Sequence, residues 1–240
     1  MFISSQDLKK IYQDDSVLIL DARSYKDYSK GHIPGSVSLD LFSFHWADTS
    51  QKGLVSFGEH MRKILSYAGI DENKKIIFYD HSSGMLAARG VWMCLYFSHP
   101  DVQMLDGGLS KWTKENLPTQ TESTIYKPTN LTTPINPSII IGFEELNENI
   151  GKVTIIDARS PDEFDGTMPR AARGGHIPTA KNIDWNNNLD DSGKLKSDSE
   201  LESLYTMDKE YPIVTYCQGA YRAANSYLSL KKIGFKNVKV

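Results

Sequence analysis

The sequence has little cysteine: only Cys94 and Cys217 in 240 residues. Two thiols cannot staple a fold of this size, which excludes a disulfide scaffold and points to a reducing compartment, the cytoplasm. It has no excess of positive charge. Lys and Arg number 27 against 30 Asp and Glu, a net charge of −3, and no basic run exceeds two residues. A nucleic-acid surface needs a concentrated basic face, so no nucleic-acid partner is expected. Long apolar runs are also missing, since nothing approaches the ~18 residues that span a bilayer. The N-terminus, Met1-Phe2-Ile3-Ser4-Ser5-Gln6-Asp7-Leu8-Lys9-Lys10, has no basic start followed by an apolar stretch. Neither a signal peptide nor a membrane partner is expected. Histidines stand scattered at 32, 45, 60, 81, 99 and 176, without H-x-H or C-x-x-C spacing. No metal site is implied. Neither G-x-G-x-x-G nor G-x-x-x-x-G-K-[ST] occurs, so no nucleotide or other cofactor is implied.

What is present is a repeat. Val17-Leu18-Ile19-Leu20-Asp21-Ala22-Arg23-Ser24 returns as Val153-Thr154-Ile155-Ile156-Asp157-Ala158-Arg159-Ser160. Gly31-His32-Ile33-Pro34 returns as Gly175-His176-Ile177-Pro178, and Ile76-Ile77-Phe78-Tyr79 as Ile213-Val214-Thr215-Tyr216. The offsets are 136, 144 and 137 residues, and the longer one reflects extra residues around Phe164 to Arg173 in the second copy. Three blocks in one order mean duplication, and a period this long means two domains of one fold. Residues 117–137 hold four prolines and six threonines with little apolar periodicity. The expected organisation is a first domain over 1–120, an extended linker over 121–137 and a second domain over 138–240.

Each half reads alike. A short helix (Asp7–Tyr12; Phe143–Asn149) precedes an apolar strand ending at Asp21 or Asp157. A loop and the G-H-I-P turn follow, then a short apolar segment and an amphipathic helix (Glu59–Tyr67; Glu200–Tyr205). The next strand (Lys75–Tyr79; Ile213–Tyr216) runs straight into a helix (Leu86–Phe97; Arg222–Ile233). Strands without polar alternation, separated by helices, predict an α/β fold: in each half a mainly parallel sheet with helices on both faces. Ligands on such sheets sit beyond the carboxyl ends of the strands.

Cys217 lies at one such end. It is followed by Gln218, Gly219, Ala220, Tyr221 and Arg222, and then by a helical pattern that Gly234 closes. A tight strand-to-helix loop aims its backbone N–H groups at one centre. The helix N-terminus and the Arg222 charge add to it, and all three favour thiolate over thiol. A thiolate in an anion cradle is an activated nucleophile. Cys94, inside Trp92-Met93-Cys94-Leu95-Tyr96-Phe97, reads as helix core. Five residues between Cys and Arg suit a phosphate-sized anion. Here four intervene, and the tighter ring suits one extra sulfur atom on the cysteine. The rival readings are a Cys-dependent phosphatase or arsenate reductase and a noncatalytic binding module.

These features together resemble the rhodanese family, in its tandem-domain thiosulfate sulfurtransferase form of prokaryotic type. The matching residues are D-A-R-S at Asp21–Ser24 and Asp157–Ser160, G-H-I-P at Gly31–Pro34 and Gly175–Pro178, L-D-G-G-L-x-x-W at Leu105–Trp112, and the loop Cys217–Arg222. The resemblance covers nearly the whole chain. It implies two rhodanese-like domains, of which only the second is catalytic. The first carries Asp80 where the second carries Cys217, and a carboxylate cannot hold a sulfane sulfur. Asp80 is expected to cap the helix that follows it.

The implied reaction is a double displacement through a Cys217 persulfide. Backbone N–H groups of Gln218, Gly219, Ala220, Tyr221 and Arg222 would steady the outer sulfur. The partners are a small-molecule sulfur donor and an acceptor: cyanide, a thiol or a sulfur-carrier protein. Thiosulfate is the preferred donor and 3-mercaptopyruvate the alternative. Arg170 and Arg173 are candidates for drawing in the dianion, and Arg222 for holding the loop shape. Asp21, Arg23, Asp157 and Arg159, like His32 and His176, occur in both halves and are expected to fix turns. The resemblance also implies a closing strand and a D-G-x-x-x-W-like segment in the second copy. The sequence stops at Asn237-Val238-Lys239-Val240, so the final segment of that domain is expected to be lacking.

Overall fold

Val17–Asp21 (β2) and Lys75–Tyr79 (β4), the two apolar runs of the first half, lie side by side in the computed structural model, which describes all 240 residues. They pair in parallel from Val17 opposite Lys75 to Asp21 opposite Tyr79. Strands β1 (Phe2–Ile3), β3 (Val37–Ser38) and β5 (Val102–Leu105) complete a parallel sheet of order β1-β5-β4-β2-β3. Side chains alternate across a strand, so one apolar run serves two cores. Leu18, Leu20, Ile76 and Phe78 join a cluster of 39 buried residues that both halves share. Val17, Ile19, Ile77 and Tyr79 face a separate cluster with Leu8 and Trp112. These last two come from α1 (Ser5–Ile11) and α5 (Gly108–Lys114), which cover the outer face.

The inner face carries α4 (Met85–Tyr96), whose Gly90 lies so close to Phe78 that an added Cβ would fall 2.3 Å from the ring. Two further helices of this half are α2 (Tyr25–Tyr28) and α3 (Gln51–Tyr67). Helix α3 begins at Gln51 rather than at Glu59, because the Ser50 hydroxyl accepts the Gly53 N–H and caps it there.

The second half repeats the plan with fewer parts. Its strands are β6 (Thr154–Asp157), β7 (Lys181–Asn182), β8 (Ile213–Tyr216) and β9 (Val238–Lys239), all parallel in the order β7-β6-β8-β9. Strand β9 pairs with β8 as β5 pairs with β4, so the closing strand is present. The sequence runs one residue beyond β9, to Val240. The helices are α6 (Phe143–Asn149), α7 (Pro161–Asp165), α8 (Asp198–Leu204) and α9 (Tyr221–Lys232). Whereas α1 buries Ser5 and Leu8, its counterpart α6 buries no residue.

Helix α9 packs on α4, and this contact joins the halves. Buried polar groups set its register: Asn225 donates to the Ser83 carbonyl at 2.8 Å, and Asn188 donates to Asn225 Oδ1 at 3.0 Å. Residues 121–136, between the halves, form no helix and no regular strand. They are nonetheless tied to the first half. Arg62 donates to the carbonyls of Leu131 and Thr133 at 3.0 and 2.7 Å, and Leu131 is buried.

Candidate active site

Strand β8 delivers Cys217 to the carboxyl edge of the second sheet, and α9 begins four residues later at Tyr221. The turn between them is forced. Ala220 takes φ +64°, a left-handed conformation that costs a non-glycine residue on the order of 1 kcal/mol. A side chain at Gly219 would displace the His45 ring, since an added Cβ would lie 2.1 Å from His45 Cε1. Gln218 faces solvent, and Cys217 is a free, partly exposed thiol.

The first half holds this loop from outside. The Tyr221 hydroxyl donates to the Leu41 carbonyl at 2.8 Å, and its ring stacks on His45 at 6.2 Å and 9°. From within the second half, Arg222 makes two bonds to Glu163, at 2.5 and 3.0 Å. Glu163 sits on the first turn of α7, in a capping box with Ser160, and is buried. The Arg222 guanidinium holds the Glu163 carboxyl down to about 2. Burial opposes the Arg222 charge, but Glu163 and the Cys217 sulfur outweigh it and hold Arg222 above its ordinary value. Arg222 is thus tied to a carboxylate and fixes the start of α9.

The doubled residues form one device in both halves. Arg159 chelates Asp157 and reaches the Gly175 carbonyl at 2.8 Å, as Arg23 chelates Asp21 and reaches Gly31 at 2.8 Å. The histidines of the G-H-I-P turns donate from Nδ1, His176 to Phe164 and His32 to Tyr28, and each stacks on that same ring. Arg170 and Arg173 stand on the exposed insertion. Arg170 Nε lies 3.6 Å from Glu163 Oε1, while Arg173 forms no ion pair. Neither lines the cavity beside Cys217.

The matching loop of the first half is filled by its own carboxylate. Asp80, buried after β4, accepts N–H groups from Ser82, Gly84, Leu86 and Ala87 at 3.0 to 3.1 Å. It therefore caps α4, and burial pushes its carboxyl up despite the four amides. The strand–loop–helix turn of this fold gathers amides around an anion. In the second half the corresponding position is a sulfur, and the loop is one residue shorter.

Cys217, Gln218, Gly219 and Ala220 form one wall of a cavity of about 360 Å³ between the halves. The first half supplies the opposite wall, including His45, Phe57, Arg89 and Trp92. None of these four was singled out by sequence reasoning, because no local pattern ties them to a cysteine more than 120 residues away. The Glu163 partner of Arg222 was missed for the same reason, although Ser160-x-x-Glu163 is a legible capping box. A wider groove of about 1380 Å³ runs between α3 and the linker, but it holds no thiol. Cys94 is fully buried in α4, and burial pushes its thiol far up. No three His, Cys, Asp or Glu side chains gather where a metal ion would be held, and no helix is long and apolar enough to cross a membrane.

Comparison with known proteins finds relatives that span nearly the whole chain. The family model described as a rhodanese-like domain matches residues 4–115 and 143–240. A putative thiosulfate sulfurtransferase of Mycolicibacterium smegmatis is 32% identical over 88% of this chain and 80% of its own length. The sulfur carrier protein TtuD of Thermus thermophilus is 31% identical over the whole chain and 90% of its length. Among solved structures, the 3-mercaptopyruvate sulfotransferase SseA of Escherichia coli superposes with a TM-score of 0.82 at 26% identity, covering 99% of this chain and 96% of that one.

Proposed function

The chain belongs to the rhodanese family, and we propose that it is a cytoplasmic sulfurtransferase that moves a sulfane sulfur from thiosulfate to a thiophilic acceptor through Cys217. The observation that carries this reading is the contrast of loops. One copy closes its amide turn on the Asp80 carboxylate, and the other presents a free thiol at the same position, open to a cavity.

In the first step the Cys217 thiolate attacks the outer sulfur of thiosulfate. A new S–S bond forms, the donor's S–S bond breaks, and sulfite leaves with the electron pair. The negative charge then rests on the outer sulfur of the persulfide, which the backbone N–H groups of residues 218–222 face as an oxyanion hole faces an oxygen. In the second step cyanide or a thiol takes that sulfur and the Cys217 thiolate returns. Ping-pong kinetics follow from the covalent intermediate. Arg222, locked to Glu163, keeps the turn in shape, and Asp157 with Arg159 fixes the neighbouring loop. Arg170 and Arg173 are retained as residues that draw an anionic donor toward the site. The acceptor in the cell is proposed to be a small thiol or a sulfur-carrier protein, and the relative named as a sulfur carrier supports this.

A donor comparison tests the proposal. Thiocyanate is expected from thiosulfate and cyanide with parallel double-reciprocal lines, faster than from 3-mercaptopyruvate, and Cys217→Ser is expected to abolish it. Faster turnover with 3-mercaptopyruvate transfers the reading to the donor of the Escherichia coli relative. Thiocyanate formation that survives the substitution removes Cys217 from the reaction.

A further inference from the structure

The cavity beside Cys217 is apolar, yet it contains one positive charge that no carboxylate balances, with the Cys217 sulfur and the Tyr221 hydroxyl as the titratable groups that act on it. Of its 22 lining residues, Arg89 is the single Lys or Arg, and none is Asp or Glu. Arg89 is 8% exposed and enters no ion pair, whereas Arg23, Arg159 and Arg222 are each bound to a carboxylate. Its guanidinium lies over Trp92 at 4.6 Å, Phe57 at 5.4 Å and Tyr221 at 5.7 Å. Aromatic faces attract the cation but accept few of its hydrogen bonds, and Nη1 is buried with no partner. The same helix face carries a second unmatched donor: Trp92 Nε1, three residues on, is also buried without an acceptor, and Trp92 is a lining residue of the same cavity. Buried donors are rarely left unmatched, and a buried unpaired cation is costly. Burial lowers Arg89 to about 10, so it stays charged at neutral pH.

We infer that Arg89 and Trp92, both from the half without the reactive cysteine, form a subsite for the oxyanion head of the donor: the sulfonate of thiosulfate and the sulfite that departs. Two N–H donors and one positive charge match a head with several oxygens, and the apolar surroundings strengthen the attraction. The head is anionic before and after the S–S bond breaks, so the subsite acts mainly on donor binding, and its loss raises KM more than it lowers kcat. The inference rests on the sulfurtransferase reading and adds to it a residue set and a ligand class.

The test uses the full chain. Sulfur loading of Cys217 is followed by intact mass against thiosulfate concentration, for the wild type, Arg89→Gln and Trp92→Phe, with thermal melting to check folding. In parallel, sulfite is titrated as a protector of Cys217 against alkylation by iodoacetamide, which needs no sulfur transfer. Trp92→Phe keeps an aromatic face for Arg89 and removes the N–H together with part of the indole, so its melting is compared with that of the wild type as well. Loss of a hydrogen bond to a charged group predicts a rise of about tenfold or more in half-loading thiosulfate for each variant, with a smaller change in the saturated rate. Sulfite is expected to protect the wild type and to lose that effect in both variants. Unchanged half-loading together with unchanged sulfite protection overturns the subsite. Should Arg89→Gln fail to melt cooperatively, Trp92→Phe decides. A wild type that takes up no sulfur refutes the sulfurtransferase reading instead, and the sulfite titration still decides the subsite.

Discussion

Asp80 and Cys217 stand at equivalent places, each directly after the central strand of its half and before the helix that packs at the interface. In the first half four amides close on a carboxylate that is part of the chain. The turn is complete, and nothing can enter it. In the second half the turn is one residue shorter, carries the left-handed Ala220 and opens on a cavity. The difference shows how a duplicated fold divides its work. In the proposed function the filled copy keeps its architecture and provides the wall of the cleft, and the open copy carries the chemistry. Neither alone forms the site, because Leu41, His45, Arg89 and Trp92 of the first half hold or face the loop of the second.

Substitutions that strike one loop at a time sharpen this contrast. The largest stability effect is expected at Glu163, which anchors the open loop. Glu163→Gln leaves Arg222 without its carboxylate, and removal of one partner from a buried pair costs about 3 kcal/mol. Chemical denaturation of the two proteins measures it, and sulfur transfer is expected to fall with it as the loop loosens. The pH dependence has a definite sign. Glu163 is depressed from an ordinary 4.5 to about 2 by Arg222, so its stabilisation is complete above pH 4.5 and is lost as pH falls toward 2. The Gln variant is expected to lack that portion of the acid transition. A variant as stable as the wild type at pH 7 would break the assignment of Glu163 as the loop's anchor.

The smaller effect is expected at the filled loop. Asp80→Ala removes a cap, which costs about 1–2 kcal/mol. If the first half serves as a wall, this variant loses stability on denaturation while thiocyanate turnover at saturating donor stays the same. A large fall in turnover, with the fold intact, would mean that Asp80 takes part in the chemistry.

The strand–loop–helix placement of Cys217 was legible because its signals are local. The apolar run 213–216, the cysteine, the glycine and the helical pattern to Gly234 all fall within some twenty residues. The repeat made Asp80 legible as the filled counterpart and Asp157 with Arg159 as a turn device. Helix α4 hid its contribution. Its residues 87–94 are all buried, so no apolar stripe marks which side meets the other half, and Arg89 does not stand out as a lining residue. Glu163 and Arg222 lie 59 positions apart and meet only after β6 and β8 have paired. The early start of α3 was obscured by Ser50, Gly53, Ser56 and Gly58, which are poor helix formers. The cap explains Ser50, and the close approach of Asp48 to Gly53 and of Tyr96 and Ile135 to Gly58 explains the two glycines.

The most direct test of the account asks where a transferred sulfur comes to rest. Full-length protein is treated with thiosulfate, freed of donor and examined by intact and peptide mass spectrometry, then exposed to cyanide. The expected result is a gain of one sulfur atom on the peptide carrying Cys217, none on the peptide carrying Cys94, and complete loss of the added mass with cyanide. No gain, or a gain that persists in Cys217→Ser, would contradict the claim that the open turn of the second half is the site of sulfur transfer.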